Sequence, residues 1–141
     1  MQKIKSILVP LDGSKISQKG LRLALTLAKS LDAEITGINV IRFSNGFQFP
    51  VSSEIKQIHV KNAEKIILEA QKTAKKEEIP FVGKIIKDSN IGNAIVKFAK
   101  NKKINFIIIG SRGPYPGSET FLGSVANYVL HKTNIPVTVV K

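Results

Sequence analysis

The sequence predicts an α/β fold: one doubly wound, five-stranded parallel sheet with helices on both faces. Three observations point to it. Short apolar runs that end in turn residues alternate with segments whose apolar residues recur at helical spacing. The resulting order is strand, helix, strand through to a fifth strand, which implies parallel strands joined by right-handed crossovers. The chain of 141 residues suits one domain, 1–141, since single cores usually run to about 100–150 residues.

The elements follow in order. Ile4 to Pro10 is a short apolar run closed by turn residues, hence a strand. Leu21, Ala24, Leu25 and Ala28 share one helical face, giving a helix over 15–30. Ala33 to Ile41 alternates and is rich in β-branched residues, so it reads as a strand. Asn45-Gly46 and Pro50 mark 42–52 as a loop. Ile55, Ile58, Ala63, Ile66, Ile67 and Ala70 form one stripe of a long helix, 53–78. Phe81 to Ile86 is the third strand. Ile91, Ala94, Ile95, Phe98 and Ala99 give a helix for which Asp88 or Ser89 is the expected cap. Asn105 to Ile109 is continuously apolar after its first residue, the mark of a strand buried on both faces. A loop, a helix over 124–132 and a last strand, Pro136 to Val140, complete the chain.

Composition narrows the function classes. Apolar residues make up 43% and charged residues 23%, near the globular average, which excludes disorder and collagen-like repeats. No apolar run reaches the roughly 18 residues of a membrane span, and Pro10, Asp12 and Gly13 cut the first apolar stretch too short for a signal peptide. A cytoplasmic protein with no membrane partner is the expectation. Without cysteine there is no disulfide framework and no thiolate chemistry. The net charge of +12 raises nucleic acid as a partner, but 19 of the 22 basic residues are Lys, spread over the chain, and only Arg22, Arg42 and Arg112 are Arg. Base readout leans on Arg, so the surface reads as Lys-rich and solvated, with no sequence-specific nucleic-acid binding.

In open parallel sheets the ligand crevice lies at the carboxyl ends of the strands. Two stretches stand out there. One is Val9-Pro10-Leu11-Asp12-Gly13-Ser14. Asp-Gly is common turn chemistry, and a carboxylate at that place can also accept hydrogen bonds from ribose hydroxyls. The other is Gly110-Ser111-Arg112-Gly113, then nine residues, then Gly123-Ser124-Val125 at the start of a helix. Glycine lets a ligand approach the backbone, and the N–H groups of a helix N-terminus face an anion. Ser124 adds either a hydroxyl donor or a plain N-cap.

Here the chain resembles the universal stress protein family, whose nucleotide signature is Gly-x2-Gly-x9-Gly-(Ser/Thr). Gly110, Gly113, Gly123 and Ser124 match it with the spacing intact, and the opening Val9 to Ser14 and closing Pro136 to Val140 stretches are also similar. The resemblance implies strand order 3-2-1-4-5 in an adenine nucleotide alpha hydrolase-like layout. It implies that Asp12 engages the ribose and adenine side, that the Val40 backbone contacts adenine, and that Gly110 and Gly113 line the ribose and phosphate path. Gly123, Ser124 and Val125 would bind the phosphates. The nucleotide-binding set is then Pro10, Asp12, Val40, Gly110, Arg112, Gly113, Gly123, Ser124 and Val125. The ligand would be ATP, ADP or AMP, with Mg2+ or Mn2+ as a companion ion, and the assembly a homodimer through Pro136 to Val140. The loop departs from the family in being stiff and slightly acidic, with Pro114, Pro116 and Glu119; a carboxylate there repels a triphosphate unless a cation intervenes.

Other residues keep two readings. Arg112 is a phosphate clamp or a surface cation. His59 lies on the stripe of the long helix and reads as a core or interface residue; His131 suits the negative end of the last helix. Phe43, Phe47 and Phe49 either cover a ligand or pin their loop. The chain has no Gly-x4-Gly-Lys-(Ser/Thr) and no Gly-x-Gly-x-x-Gly after its first strand, which argues against P-loop and dinucleotide-binding enzymes. The reading is a nucleotide-dependent stress-response sensor or binding module. The alternatives are a slow ATP hydrolase, for which no general base is visible near Ser124, and a basic protein that binds nucleic acid or an acidic partner without nucleotide control.

Overall fold

The computed structural model describes residues 3–43, 53–112 and 122–141. In chain order the elements are β1 (Ser6–Pro10), α1 (Lys15–Leu31), β2 (Glu34–Arg42), α2 (Ser53–Lys76), β3 (Phe81–Asp88), α3 (Ile91–Asn101), β4 (Phe106–Gly110), α4 (Ser124–Lys132) and β5 (Val137–Val140). All strand pairs are parallel, and the sheet order is β3-β2-β1-β4-β5. The expected fold class and strand order are both present.

The two faces carry separate cores. On one, α1 and α2 bury Leu21, Leu25, Ala28, Ile67 and Ala70 against Ile7, Val9, Ile35 and Ile108. On the other, α3 and α4 bury Ile95, Ala99, Ala126 and Val129 against Leu8, Ile38, Ile107 and Ile109. The apolar run of β4 therefore feeds both cores, as a doubly covered strand must. Each such side chain contributes about 1.5–3 kcal/mol on full burial.

Local chemistry sets most boundaries. Ser14 caps α1, its hydroxyl accepting the Ser17 N–H at 3.1 Å, and the helix closes at Asp32 in the left-handed region with φ 55°. The cap of α3 is Asn90, whose side chain accepts the Asn93 N–H at 2.9 Å. This corrects the expectation of Asp88 or Ser89. β3 pairs with β2 as far as Arg42↔Asp88, so Lys87 and Asp88 still belong to the strand, and Asp88 instead accepts the Asn90 N–H at 2.9 Å. The same pairing keeps Val40 to Arg42 in β2.

The stripe of α2 is only half covered. Ala63, Ile67, Ala70 and Ala74 are buried, whereas Ile55 and Ile58 are 46% and 65% exposed and His59 is exposed. His59 is thus not a core histidine. Length is the reason: 24 helical residues run about 36 Å, against about 30 Å for the nine residues of β2 and about 26 Å for the eight of β3. The first turns of α2 outrun the sheet. No helix among the described residues is long and apolar enough to cross a membrane.

Candidate functional site

The connections leaving β1 and β4 run in opposite directions across the sheet, so the switch point lies between their carboxyl ends. β1 stops pairing with β2 at Pro10↔Ile38, and the Leu11 N–H still reaches the Ile38 carbonyl at 2.7 Å. One more regular step would send the Val40 N–H to the Leu11 carbonyl. That carbonyl instead accepts the side-chain amide of buried Asn39 at 2.7 Å. Glu34 and Ile38 turn their backbone groups toward β1, and by the two-residue period so does Val40. Its N–H and C=O therefore face the space beyond the end of β1, and among the described residues no backbone group past Leu11 pairs with them.

Asp12 starts the turn into α1. Its Oδ1 accepts the Ser14 N–H at 2.8 Å, and Gly13 follows with φ +86°, where a Cβ would be strained and would stand 3.1 Å from Ile66. The turn reading of Asp12-Gly13 therefore holds for one carboxylate oxygen. Asp12 and Pro10 are both half-buried at the edge of the crevice.

On the β4 side, Ser111 ties three elements together. Its N–H donates to the Val140 carbonyl at 2.7 Å, and its carbonyl accepts the Gly123 N–H at 2.6 Å. The end of β4 is thereby fixed to the end of β5 and to the start of α4. Gly110 meets α1: a Cβ there would come 2.6 Å from Ile16 Cγ2, so close helix approach alone requires glycine. Gly123 is the N-cap of α4 and Ser124, which is exposed, is its first residue. Ser124 is not the cap. The Asn127 N–H is bonded to the Gly123 carbonyl at 2.9 Å, so the amides of Ser124, Val125 and Ala126 form the open, electropositive end of the helix. Val40, Ile86, Ile91, Leu122 and Val125 are half-buried on the same core and supply apolar surface beside it.

The structure thus brings Pro10, Asp12, Val40, Gly110, Gly123, Ser124 and Val125 to one end of the sheet. Arg112 is there too, exposed. Gly113, Phe47, Phe49 and the acidic loop with Glu119 lie outside the described residues; Phe43 is 43% exposed. A groove of about 550 Å³ runs on the other face between α1 and α2, sharing Asp12 with the crevice but lined further along by Gln18, Arg22, Asn62 and Lys65. Sequence reasoning missed Asn39 and Ser111. A lone amide in an alternating apolar strand was the available signal for Asn39; Ser111 works through its backbone and left none.

A doubly wound sheet with a glycine-capped helix N-terminus at its switch point defines a small α/β domain whose free helix amides face the crevice. Residues 3–141 match the universal stress protein family model, and the chain belongs to that family. It is 31% identical over 144 residues to universal stress protein YxiE of Bacillus subtilis, covering 96% of this chain and 97% of that one. Its fold is similar to the solved structure of MJ0577 from Methanocaldococcus jannaschii, with TM-score 0.84, 26% identity and coverage of 99% and 97%. It is also similar to an Archaeoglobus fulgidus universal stress protein solved in complex with dAMP, with TM-score 0.76, 21% identity and coverage of 99% and 100%, a likeness of fold alone.

Proposed function

We propose that this protein is a cytoplasmic module that binds an adenine nucleotide (ATP, ADP or AMP) in the crevice between β1 and β4 and acts as a nucleotide-dependent stress-response sensor. The observation that carries the reading is the Val40 backbone, turned past the end of β1 on one side of a crevice whose other side is the N-terminus of α4. An N–H and a C=O on one strand edge match the adjacent acceptor and donor of an adenine edge; guanine presents the opposite polarity. Asp12 then faces the ribose, Pro10 and the half-buried aliphatic side chains flank the base, and the open amides of Ser124 and Val125 take phosphate oxygens. Gly110 and Arg112 line the path between. The dAMP complex of the Archaeoglobus fulgidus fold neighbour supports an adenine nucleotide as the ligand class.

Among the described residues no group of three or more His, Asp or Glu gathers to hold a metal ion. Mg2+ or Mn2+ would accompany the nucleotide on its phosphates. The free edge of β5 supports a homodimer through Pro136 to Val140. Equilibrium binding tests the reading: ATP, ADP or AMP should bind with GTP at least tenfold weaker, about 1.4 kcal/mol. Equal affinity for ATP and GTP would remove the adenine contact from Val40.

A further inference from the structure

Beyond the crevice, the opposite pole of the sheet carries a concentration of charge that the nucleotide reading does not use. A parallel α/β sheet places every strand amino end and every helix carboxyl end at one pole. In this chain that pole, on its β1–β4–β5 half, gathers Lys3 and Lys5 ahead of β1, Lys100, Lys102 and Lys103 around the end of α3, and Lys132 at the end of α4. All six are exposed. Backbone contacts fix the first two groups side by side. The Asn105 side chain accepts the Lys5 N–H at 2.7 Å and the Ser6 N–H at 3.0 Å, and the Ser6 hydroxyl reaches the Lys103 carbonyl at 3.5 Å. Asn105 thus clasps the stem of β1 to the turn before β4 and holds Lys5 beside Lys103.

The acids of this pole are Asp32, Glu34, Glu77 and Glu78, and all lie at the starts of β2 and β3. Only Glu34 borders the lysines, its N–H donating to the Lys5 carbonyl at 2.9 Å. Helix dipoles account for cations in the last turns of α3 and α4, at Lys100 and Lys132, but not for Lys3 and Lys5, which precede β1 and belong to no helix. The cluster is also remote from the nucleotide crevice, since β1 alone separates the poles by about 15 Å, beyond the Debye length of roughly 8 Å at physiological salt.

We infer that this lysine pole binds the phosphate backbone of a nucleic-acid duplex without regard to sequence. Lysine is a compact, mobile point charge suited to phosphates one at a time, and the absence of Arg from the cluster removes the bidentate base contacts that carry sequence information. The pole also lacks a stacking platform: Phe98 and Phe106 are packed against the cores, and the exposed aromatic among the described residues, Phe43, follows β2 at the far pole. Single strands need such stacking, and the exposed leucines of this pole, Leu31 at the end of α1 and Leu130 near the end of α4, stand singly on opposite faces of the sheet, short of the continuous apolar face that peripheral membrane binding draws on. The chemistry that remains is phosphate contact across a rigid duplex.

The experiment is fluorescence anisotropy of the full chain with short duplexes of unrelated sequence. Affinity should be equal across sequences and should fall about 100-fold between about 50 mM and 200 mM salt, as expected for roughly four neutralised phosphates. Saturating ATP should leave it unchanged, which keeps this outcome separate from the nucleotide site. The quadruple variant Lys3→Glu, Lys5→Glu, Lys102→Glu and Lys103→Glu should lose at least about 30-fold at low salt. A charge-matched control with Lys56, Lys61, Lys65 and Lys72 of α2 changed to Glu should lose less than about threefold. Equal losses in the two variants would show that net charge alone attracts DNA and would overturn the inference. Absence of duplex binding at low salt would overturn it too, as would tighter binding to single strands or to vesicles of anionic lipid than to duplex.

Discussion

The side-chain amide of Asn39 donates a 2.7 Å hydrogen bond to the Leu11 carbonyl, where a continued ladder would have placed the Val40 N–H. One buried amide thus ends the β1–β2 pairing and leaves the next residue's backbone turned into the crevice. Replacing Asn39 by Leu keeps the branched outline, with two larger methyls for the amide atoms, but strands the Leu11 carbonyl, at a cost of about 1–3 kcal/mol. The expected result in denaturant titration is a lower midpoint with an unchanged m-value. ATP affinity should fall as the Leu11–Gly13 turn loosens. A variant as stable as the parent would mean that water or Val40 itself serves that carbonyl equally well.

Gly110 faces α1, and a Cβ there would stand 2.6 Å from Ile16 Cγ2. Gly110→Ala should destabilise the fold by about 1–3 kcal/mol through overpacking. Ile16→Ala should relieve part of that loss when combined with it. Thermal melts of the two single variants and the double variant measure the coupling; strict additivity would place the pressure on Gly110 elsewhere.

Gly123 has φ −65° and ψ 158°, a conformation open to any residue, so its glycine is not required by backbone strain. Gly123→Val should therefore fold, with a loss near 1 kcal/mol from the cap position. Its branched side chain stands where phosphate would approach the α4 amides, and ATP binding should drop more than tenfold. Calorimetric titration that finds parent-like affinity would move the phosphates away from this helix.

Pro136, just ahead of β5, and Val140 at its end accept hydrogen bonds from Ile107 and Ser111 of the β4 strand and its exit, so the even-numbered residues serve the intrachain ladder. Val137 and Val139 then turn their backbone groups to the open edge. Val139→Pro removes one outward donor and no intrachain one. Light scattering should show a dimer for the parent and a 15.4 kDa monomer for this variant. A monomeric parent at micromolar concentration would end the edge-pairing proposal.

What the sequence determined by itself was everything carried by short-range periodicity. The stripe Leu21, Ala24, Leu25 and Ala28, the run Ile107 to Ile109 and the alternation before Ile41 each declare an element, because one turn of helix or one strand step repeats within a few residues. The spacing from Gly110 to Ser124 was legible for the same reason, and with the opening and closing strands it pointed to the family and hence to the strand order. Tertiary structure decided the rest. That Ile55, Ile58 and His59 stay exposed depends on how far α2 outruns its strands. That Gly110 answers to Ile16, and Asn39 to Leu11, depends on which elements the sheet sets side by side. Lys5 and Lys103 become neighbours only because β1 and β4 pair. Such contacts join residues tens of positions apart, and no local pattern encodes them, because the register and lengths of whole elements fix who meets whom.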